Sequence, residues 1–331
     1  MRSALLVCLA ASLATATAAQ AGDWRVRRVD APARVTAIDT VGGQVRADAG
    51  GLWYAIVREG GKVSLKFIDY PGGPKPPEGA LPDGRVATGA HDIVRAWLAE
   101  PSDRYDHGVL GDKIEAGSVV IEARDGKQHS VRLRTDAVFE DLEPRITDLD
   151  GDGHDEIIVV KSYLKRGSAL AVIAERRGKY QIVAETPPLG GPHRWLDPVG
   201  VADFTGDGKA DIALVRQPHV IGVLEMWSWR DGRLRKAAEF PGAANHIAGK
   251  RAIAMHAVAD FDGDGVADIA VPSLDRDTLR IVSFAPKVSE IANVRLPAKA
   301  TTNLGLLKGG ETPALVLGLT DGSLVLVERA P

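Results

Sequence analysis

The chain has 331 residues, 45% of them hydrophobic and only 5% aromatic, and its 41 basic and 44 acidic side chains leave a formal charge of −3. This is globular composition, enough for two modest domains or one large β domain, and it excludes a polybasic nucleic-acid or membrane-surface protein. The 36 glycines and 19 prolines suit many short elements joined by turns.

Residues 1–21 read as a secretory signal. Arg2 supplies the positive start, Ala4 to Ala14 the apolar core, and Ala19-Gln20-Ala21 the cleavage site before Gly22. Cys8 lies inside that core behind bulky Val7, which speaks against a lipoprotein. Cleavage would remove the only cysteine, so the exported chain holds itself together without disulfides. Residues 22–331 then form one domain. The expected location is periplasmic or secreted, with no stable membrane insertion after cleavage.

Strand-like runs follow in order. Trp24 to Val29 stands alone, and Arg34 to Asp39, Gln44 to Ala49, Leu52 to Val57 and Val63 to Asp69 make a first group of four. Pro71 to Asp83, dense in Pro and Gly, reads as a surface loop. Asp92 to Ala99, Tyr105 to Gly111, Ser118 to Ala123 and Ser130 to Arg134 make a second group, with Asp125-Gly126 as its last hairpin.

The middle of the chain repeats itself. Residues 146–160, 201–215 and 258–272 align without gaps, and their first aspartates, Asp148, Asp203 and Asp260, stand 55 and 57 residues apart. The repeats extend over about 143–190, 198–240 and 255–297. Behind each acidic loop come three short apolar, β-branched runs separated by turns, so each repeat is expected to be four antiparallel strands. Three final runs, Asn303 to Leu307, Ala314 to Gly318 and Ser323 to Glu328, lack a fourth. The reading is an all-β protein, a β-propeller of six four-stranded blades in which Trp24 to Val29 completes the last. Seven blades is the alternative if the Pro71 to Asp83 region hides strands.

Counted from its first aspartate, each loop carries oxygen ligands at positions 1, 3, 5 and 9, a glycine at 6, and a backbone carbonyl at 7. The sets are Asp148, Asp150, Asp152, His154 and Glu156; Asp203, Thr205, Asp207, Lys209 and Asp211; and Asp260, Asp262, Asp264, Val266 and Asp268. Hard oxygens at alternate positions around a glycine turn are what Ca²⁺ requires. An EF-hand is excluded, because position 12 holds Val159, Leu214 or Val271 and both flanks are strands. Up to three structural calcium ions are expected, with the Thr205 loop the weakest.

On these loops the sequence resembles the FG-GAP/VCBS repeat family, the calcium-looped blades of integrin α-chain propellers and of many exported bacterial proteins. The resemblance covers residues 146–272, and the literal FG and GAP tripeptides are missing. It implies calcium as a structural cofactor in a propeller.

The rim opposite the acidic loops is the expected place for a ligand. It offers Tyr163, Arg166, His193, Arg194, Trp195, His219, Asn245, His246 and Arg251 around one opening. Trp195 serves either as a stacking face or as a plug between blades. Trp227 and Trp229 belong to inter-sheet packing. The three histidines lack zinc-site spacing. No G-x-S-x-G, H-E-x-x-H or phosphate-cradling loop occurs. The reading is a monomeric binding or interaction module for a glycan, an anionic small molecule or a protein. The alternative is an exported hydrolase, lyase or lactonase, which would show convergent carboxylates or histidines on that rim.

Overall fold

The computed structural model describes residues 24–70, 76–310 and 312–330. Among them every regular element is a strand, and no helix is long and apolar enough to cross a membrane. The proposed signal, residues 1–21, lies outside the described residues.

The strands form antiparallel meanders. In the first sheet β2 (Val35–Val41), β3 (Gln44–Ala49), β4 (Leu52–Glu59) and β5 (Lys62–Phe67) pair in sequence order. Its three turns are the glycine pairs 42–43, 50–51 and 60–61, all at positive φ. Two such residues in succession give the hairpin whose twist matches the strands. The second meander is β6 (Ala87–Thr88), β7 (Ile93–Ser102), β8 (Glu115–Ala123) and β9 (Gln128–Arg132), and β10 (Ala137–Phe139) follows it. The third is β11 (Arg145–Thr147), β12 (Glu156–Tyr163), β13 (Gly167–Arg176) and β14 (Lys179–Glu185). Because β10 pairs with both β8 and β12, it fuses these two meanders into one nine-stranded sheet.

Two regular sheets come next: β15 (Leu196–Ala202) to β16 (Asp211–Arg216), β17 (Val223–Arg230) and β18 (Arg233–Pro241), then β19 (Ala257–Ala259) to β20 (Asp268–Pro272), β21 (Thr278–Ser283) and β22 (Ser289–Arg295). In the last sheet β23 (Gly305–Leu307), β24 (Ala314–Gly318) and β25 (Leu324–Arg329) are joined by β1 (Trp24–Val29). β1 pairs with β25 along its whole length, from Trp24 opposite Arg329 to Val29 opposite Leu324. Across that pair Arg27 reaches Glu328 at 2.7 Å, and Arg58 of β4 reaches the same carboxylate at 3.3 Å. Among the described residues no sheet closes on itself.

Successive apolar side chains of the inner strands point to opposite faces, as Ile157 and Val159 do against Ile158 and Val160, and meet those of neighbouring meanders, giving a β-propeller-like arrangement. One core lies between the second and third meanders, others between the third and fourth and between the fourth and fifth meanders. Two more join the fifth to the last and the last to the first. Among the described residues no such cluster joins the first meander to the second.

Two expectations need correction. Tyr105 to Gly111 is not a strand: β7 runs on to Ser102, and the segment behind it turns at Gly108 and Gly111, both at positive φ. The missing strand is the two-residue β6, too short to read in the sequence. The Pro71 to Asp83 region is not wholly surface either, since Leu81 is fully buried and Ala80 bridges to Ala99. Residues 71–75 lie outside the described residues.

Candidate functional site

The three acidic loops join the first strand of a meander to its second, and they share one hydrogen-bonded frame. The position-1 aspartate accepts N–H groups from the glycines at positions 4 and 6. Gly151 and Gly153 donate to Asp148 at 2.7 and 2.8 Å, Gly206 and Gly208 to Asp203 at 2.7 Å each, and Gly263 and Gly265 to Asp260 at 2.6 and 2.9 Å. The position-5 carboxylates Asp152, Asp207 and Asp264 each accept the N–H two residues on, that of His154, Lys209 and Val266.

Within that frame the loops divide. In the first, Asp148, Asp150 and Glu156 bring carboxylate oxygens within 4.8 Å of one another, and in the third Asp260, Asp262 and Asp268 do so. The position-9 group is buried in both and accepts one N–H, from Leu149 or from Phe261, at 2.9 Å. Burial, with the charges of Asp150, Asp152 and Asp148 added, pushes Glu156 up to about 7. Burial and then Asp262 push Asp268 up to about 7 as well. Asp268 Oδ1 is buried without a hydrogen-bond partner. An orphaned oxygen among crowded carboxylates fits a hard divalent cation, which would relieve both penalties.

The middle loop does not fit one. Arg230, at the end of β17, places its guanidinium 2.8 Å from Asp207 and 3.2 Å from Asp211, and also donates to the Ala210 carbonyl at 3.0 Å. Thr205 donates its hydroxyl to Asp211 at 3.1 Å. Hydrogen bonding to Arg230 holds Asp207 below the usual carboxylate range. The first loop has a different tie of its own, absent from the sequence reading. Asp155 is buried, accepts the His91 N–H at 2.8 Å, and donates its own N–H to Asp92 at 2.6 Å, fixing the loop to the second meander.

At the opposite end of the strands an imidazole group assembles. Glu140, directly after β10, is fully buried, and its Oε1 lies 2.5 Å from His107 Nδ1. Its Oε2 accepts the Ser162 hydroxyl. Burial, with the Glu140 charge added, pushes neighbouring Glu115 up to about 10. The His193 ring stacks on His107 with centroids 5.0 Å apart, and its backbone N–H donates to the Tyr105 hydroxyl at 2.8 Å. His219 stacks on Trp195 and meets His246 at 2.8 Å.

The protons in that last pair are fixed by the backbone. His246 Nε2 faces the Lys250 carbonyl at 2.8 Å, which can only accept, and burial lowers the His246 pKa to about 3. Nε2 therefore carries the hydrogen, Nδ1 accepts from His219 Nε2–H, and His219 Nδ1 keeps a free lone pair.

Trp195 is 3% exposed and donates to the Glu140 carbonyl at 3.1 Å, so it plugs the space between meanders, and its stacking partner is His219 rather than a ligand. Trp227 and Trp229 are buried in the same core. Asn245 is fully buried and donates to the Asp197 carbonyl. Tyr163 donates to Glu185 at 2.5 Å, and Arg166 lies over its ring at 3.8 Å. Arg194 caps the Leu189 carbonyl. Of the nine rim residues, the structure gathers His193, Trp195, His219 and His246. No zinc-like group forms among the described residues.

A cleft of about 500 Å³, missed in the sequence, opens beside the first sheet. Trp53 and Tyr70 meet edge to face there at 5.2 Å, and Arg46 lies over the Tyr70 ring at 4.7 Å. Arg85, Lys250 and Arg251 line the same space. Arg85 holds Asp39 and Glu143 only loosely, at 3.9 Å each. Arg251 is committed to Asp83 and Asp112 at 2.7 and 2.9 Å.

Among solved structures, the chain is similar to the rhamnogalacturonan lyase YesW at 14% identity and TM-score 0.44, covering 88% of this chain and 66% of that one, just under two thirds. It is similar to BBS1N, solved in complex with ARL6DN, at 15% and 0.45, covering 89% and 78%. It is also similar to virginiamycin B lyase from Staphylococcus aureus at 13% and 0.41, covering 92% and 98%. Likeness at this level assigns no activity. No curated protein matches. The family model of the FG-GAP-like repeat matches residues 148–214, a span that holds the first two acidic loops and the strands behind them. The chain thus carries an FG-GAP-like repeat.

Proposed function

We propose that the chain is an exported, calcium-stabilised β-propeller of six four-stranded blades that works as a binding module for an anionic glycan. The six blades are the six meanders, tied into a ring by β1 on β25. Calcium sits in the first and third loops, held by Asp148, Asp150 and Glu156 and by Asp260, Asp262 and Asp268, and its role is structural.

The cleft beside the first sheet carries the ligand reading. A sugar ring needs an aromatic face and a carboxylate needs a cation, and here Trp53 and Tyr70 stand next to Arg85 and Lys250 in a space of oligosaccharide size. Titration with a uronic-acid oligosaccharide, followed by tryptophan fluorescence, tests it. Binding should weaken in Trp53→Ala and Arg85→Ala and be absent for a neutral oligosaccharide of equal length. Equal affinity for the neutral sugar would remove the anionic specificity, and undiminished binding by both variants would remove the cleft.

The Glu140–His107 pair favours a second reading, in which the opposite rim catalyses proton transfer. A buried carboxylate on Nδ1 fixes the ring and leaves Nε2 as a base. His107→Gln, whose amide can still donate to the buried Glu140, should then abolish turnover of an ester or glycoside substrate with little loss of melting temperature; a substrate screen in which both proteins are equally inactive would count against this reading.

A further inference from the structure

We propose that Arg230 is the resident cation of the middle acidic loop, so that this loop is closed without metal and the protein holds two calcium ions where three near-identical motifs suggest three. The proposal rests on the calcium reading of the outer loops and corrects the expectation that the Thr205 loop is merely the last to fill.

A metal in the second loop would need the carboxylates at positions 1, 5 and 9 and an oxygen at position 3. Two of those carboxylates already accept from one guanidinium, at 2.8 and 3.2 Å. Position 3 is Thr205, whose hydroxyl spends its hydrogen on the position-9 carboxylate. The Arg230 side chain is only 20% exposed and Asp211 is fully buried, so the charges meet with little solvent between them. A guanidinium cannot lose its proton to make way for a metal, and a dication in the same cage would face a full positive charge. Metal and Arg230 exclude each other.

The other loops act as internal controls. Asp211 pairs with Ser228, which places Arg230 two residues past the partner of position 9. Continuing the β12–β13 ladder from Ile157 opposite Ile173, the same place beside the first loop is held by Arg176. That side chain is exposed and donates to the Glu175 carbonyl, away from the loop carboxylates. Beside the third loop, the ladder from Ile269 opposite Val282 puts Ala285 there, with no charge to offer. Among the described residues three carboxylates converge only in these two loops; the Arg329 guanidinium does reach the third loop, where it donates to the backbone carbonyl of Asp262 at 3.1 Å.

The experiment counts bound calcium on the full chain by equilibrium dialysis for four proteins: unsubstituted, Thr205→Asp, Arg230→Met and the double variant. Two ions are expected for the first two proteins and three for the double variant, where the ligand set is completed and the guanidinium removed. A third ion in the unsubstituted protein or in Thr205→Asp overturns the proposal, as does a double variant that stays at two. Amide exchange over residues 203–211, measured in EDTA, is the second readout. Arg230→Met should exchange several-fold faster there than the unsubstituted protein, and unchanged exchange overturns the proposal. If the unsubstituted protein binds no calcium at all, the metal reading of the outer loops fails, and exchange alone then decides the role of Arg230.

Discussion

The first and second acidic loops start from one template and balance the same charge in two ways. Both wrap glycine N–H groups around a leading aspartate, at 2.7 to 2.8 Å, and both end on a buried carboxylate at position 9. In the first that carboxylate is driven up to about 7 by burial and its acidic neighbours. In the second, Arg230 and Thr205 have come to meet it. A tight turn that gathers carboxylates needs a counter-charge. On the calcium reading, the first and third loops take theirs from solution, whereas the second has Arg230 beside it.

The largest effect expected from breaking this contrast lies away from the loops. The third loop leans on the N-terminal strand: the Trp24 ring meets Phe261 at 6.2 Å, and Arg329, opposite Trp24, donates to the Asp262 carbonyl at 3.1 Å. The second loop has no such support from β1. A chain starting at Ala33 should therefore lose most of its soluble yield against one starting at Gly22, because β25 is left with an unpaired edge. Any soluble fraction should bind one calcium fewer, with exchange over residues 203–211 unchanged. Equal yield and equal calcium would break the link.

Calcium itself comes next. An ion that binds only the folded state adds about 2.7 kcal/mol when its free concentration is a hundredfold above its dissociation constant. Melting should drop in EDTA and recover with Ca²⁺ but not with Mg²⁺, whose octahedral site is smaller. Asp268→Ala should shrink that recovery, whereas Asp211→Ala should lower stability equally with and without calcium. A melting curve indifferent to EDTA, starting from loaded protein, sinks the metal reading.

Acid gives a smaller effect that calcium should not touch. His246 is 1% exposed with its pKa lowered to about 3 by burial, against an unfolded value near 6.5. Since its folded pKa is depressed, the unfolded chain binds the extra proton. The contribution is complete above pH 6.5 and is lost as pH falls toward 3. At pH 5 the loss is about 2 kcal/mol. His246→Gln should flatten that part of a denaturant-midpoint profile, and a profile identical to that of the unsubstituted protein would refute the assignment.

The smallest effect is Arg176→Ala. Arg230→Ala should destabilise by about 1–2 kcal/mol, because it strips a buried carboxylate of its partner. Arg176→Ala should stay within about 0.5 kcal/mol, as exposed substitutions usually do. Equal losses would erase the distinction between the two arginines.

Much of this molecule is written locally. Ile157 to Val160, Ile212 to Val215 and Ile269 to Val271 announce strands because β-branched residues follow an aspartate–glycine turn, and spacing alone gives the ligand order in the loops. What stayed hidden depends on register. Arg230 lies 19 residues from Asp211 in sequence, and only the β16–β17 pairing brings them together. Glu140 and His107 escaped for another reason: one follows a three-residue strand, and the other sits in a turn whose apolar residues resemble a strand. A charged pair inside an apolar run, Phe139-Glu140-Asp141-Leu142, was the one available signal. Trp53 looked like an ordinary strand aromatic because its partner, Tyr70, comes from beyond the end of the sheet.

The pairing of β1 with β25 sets an order of events. Arg27 and Glu328 are 301 residues apart in sequence, and every residue of their ladder has a separation of similar size. Meanders of neighbouring strands close short loops and are expected to form early, whereas this ladder must wait for β25. β1, the first of the described strands in the chain, is thus expected to pair last. Until then its two faces and the edge of β25 are open to any passing strand, including those of a second copy. A helper that shields a single N-terminal segment during synthesis would thus protect the whole molecule, and slow refolding from denaturant should be dominated by one late, concentration-sensitive phase that a chain lacking this segment does not show.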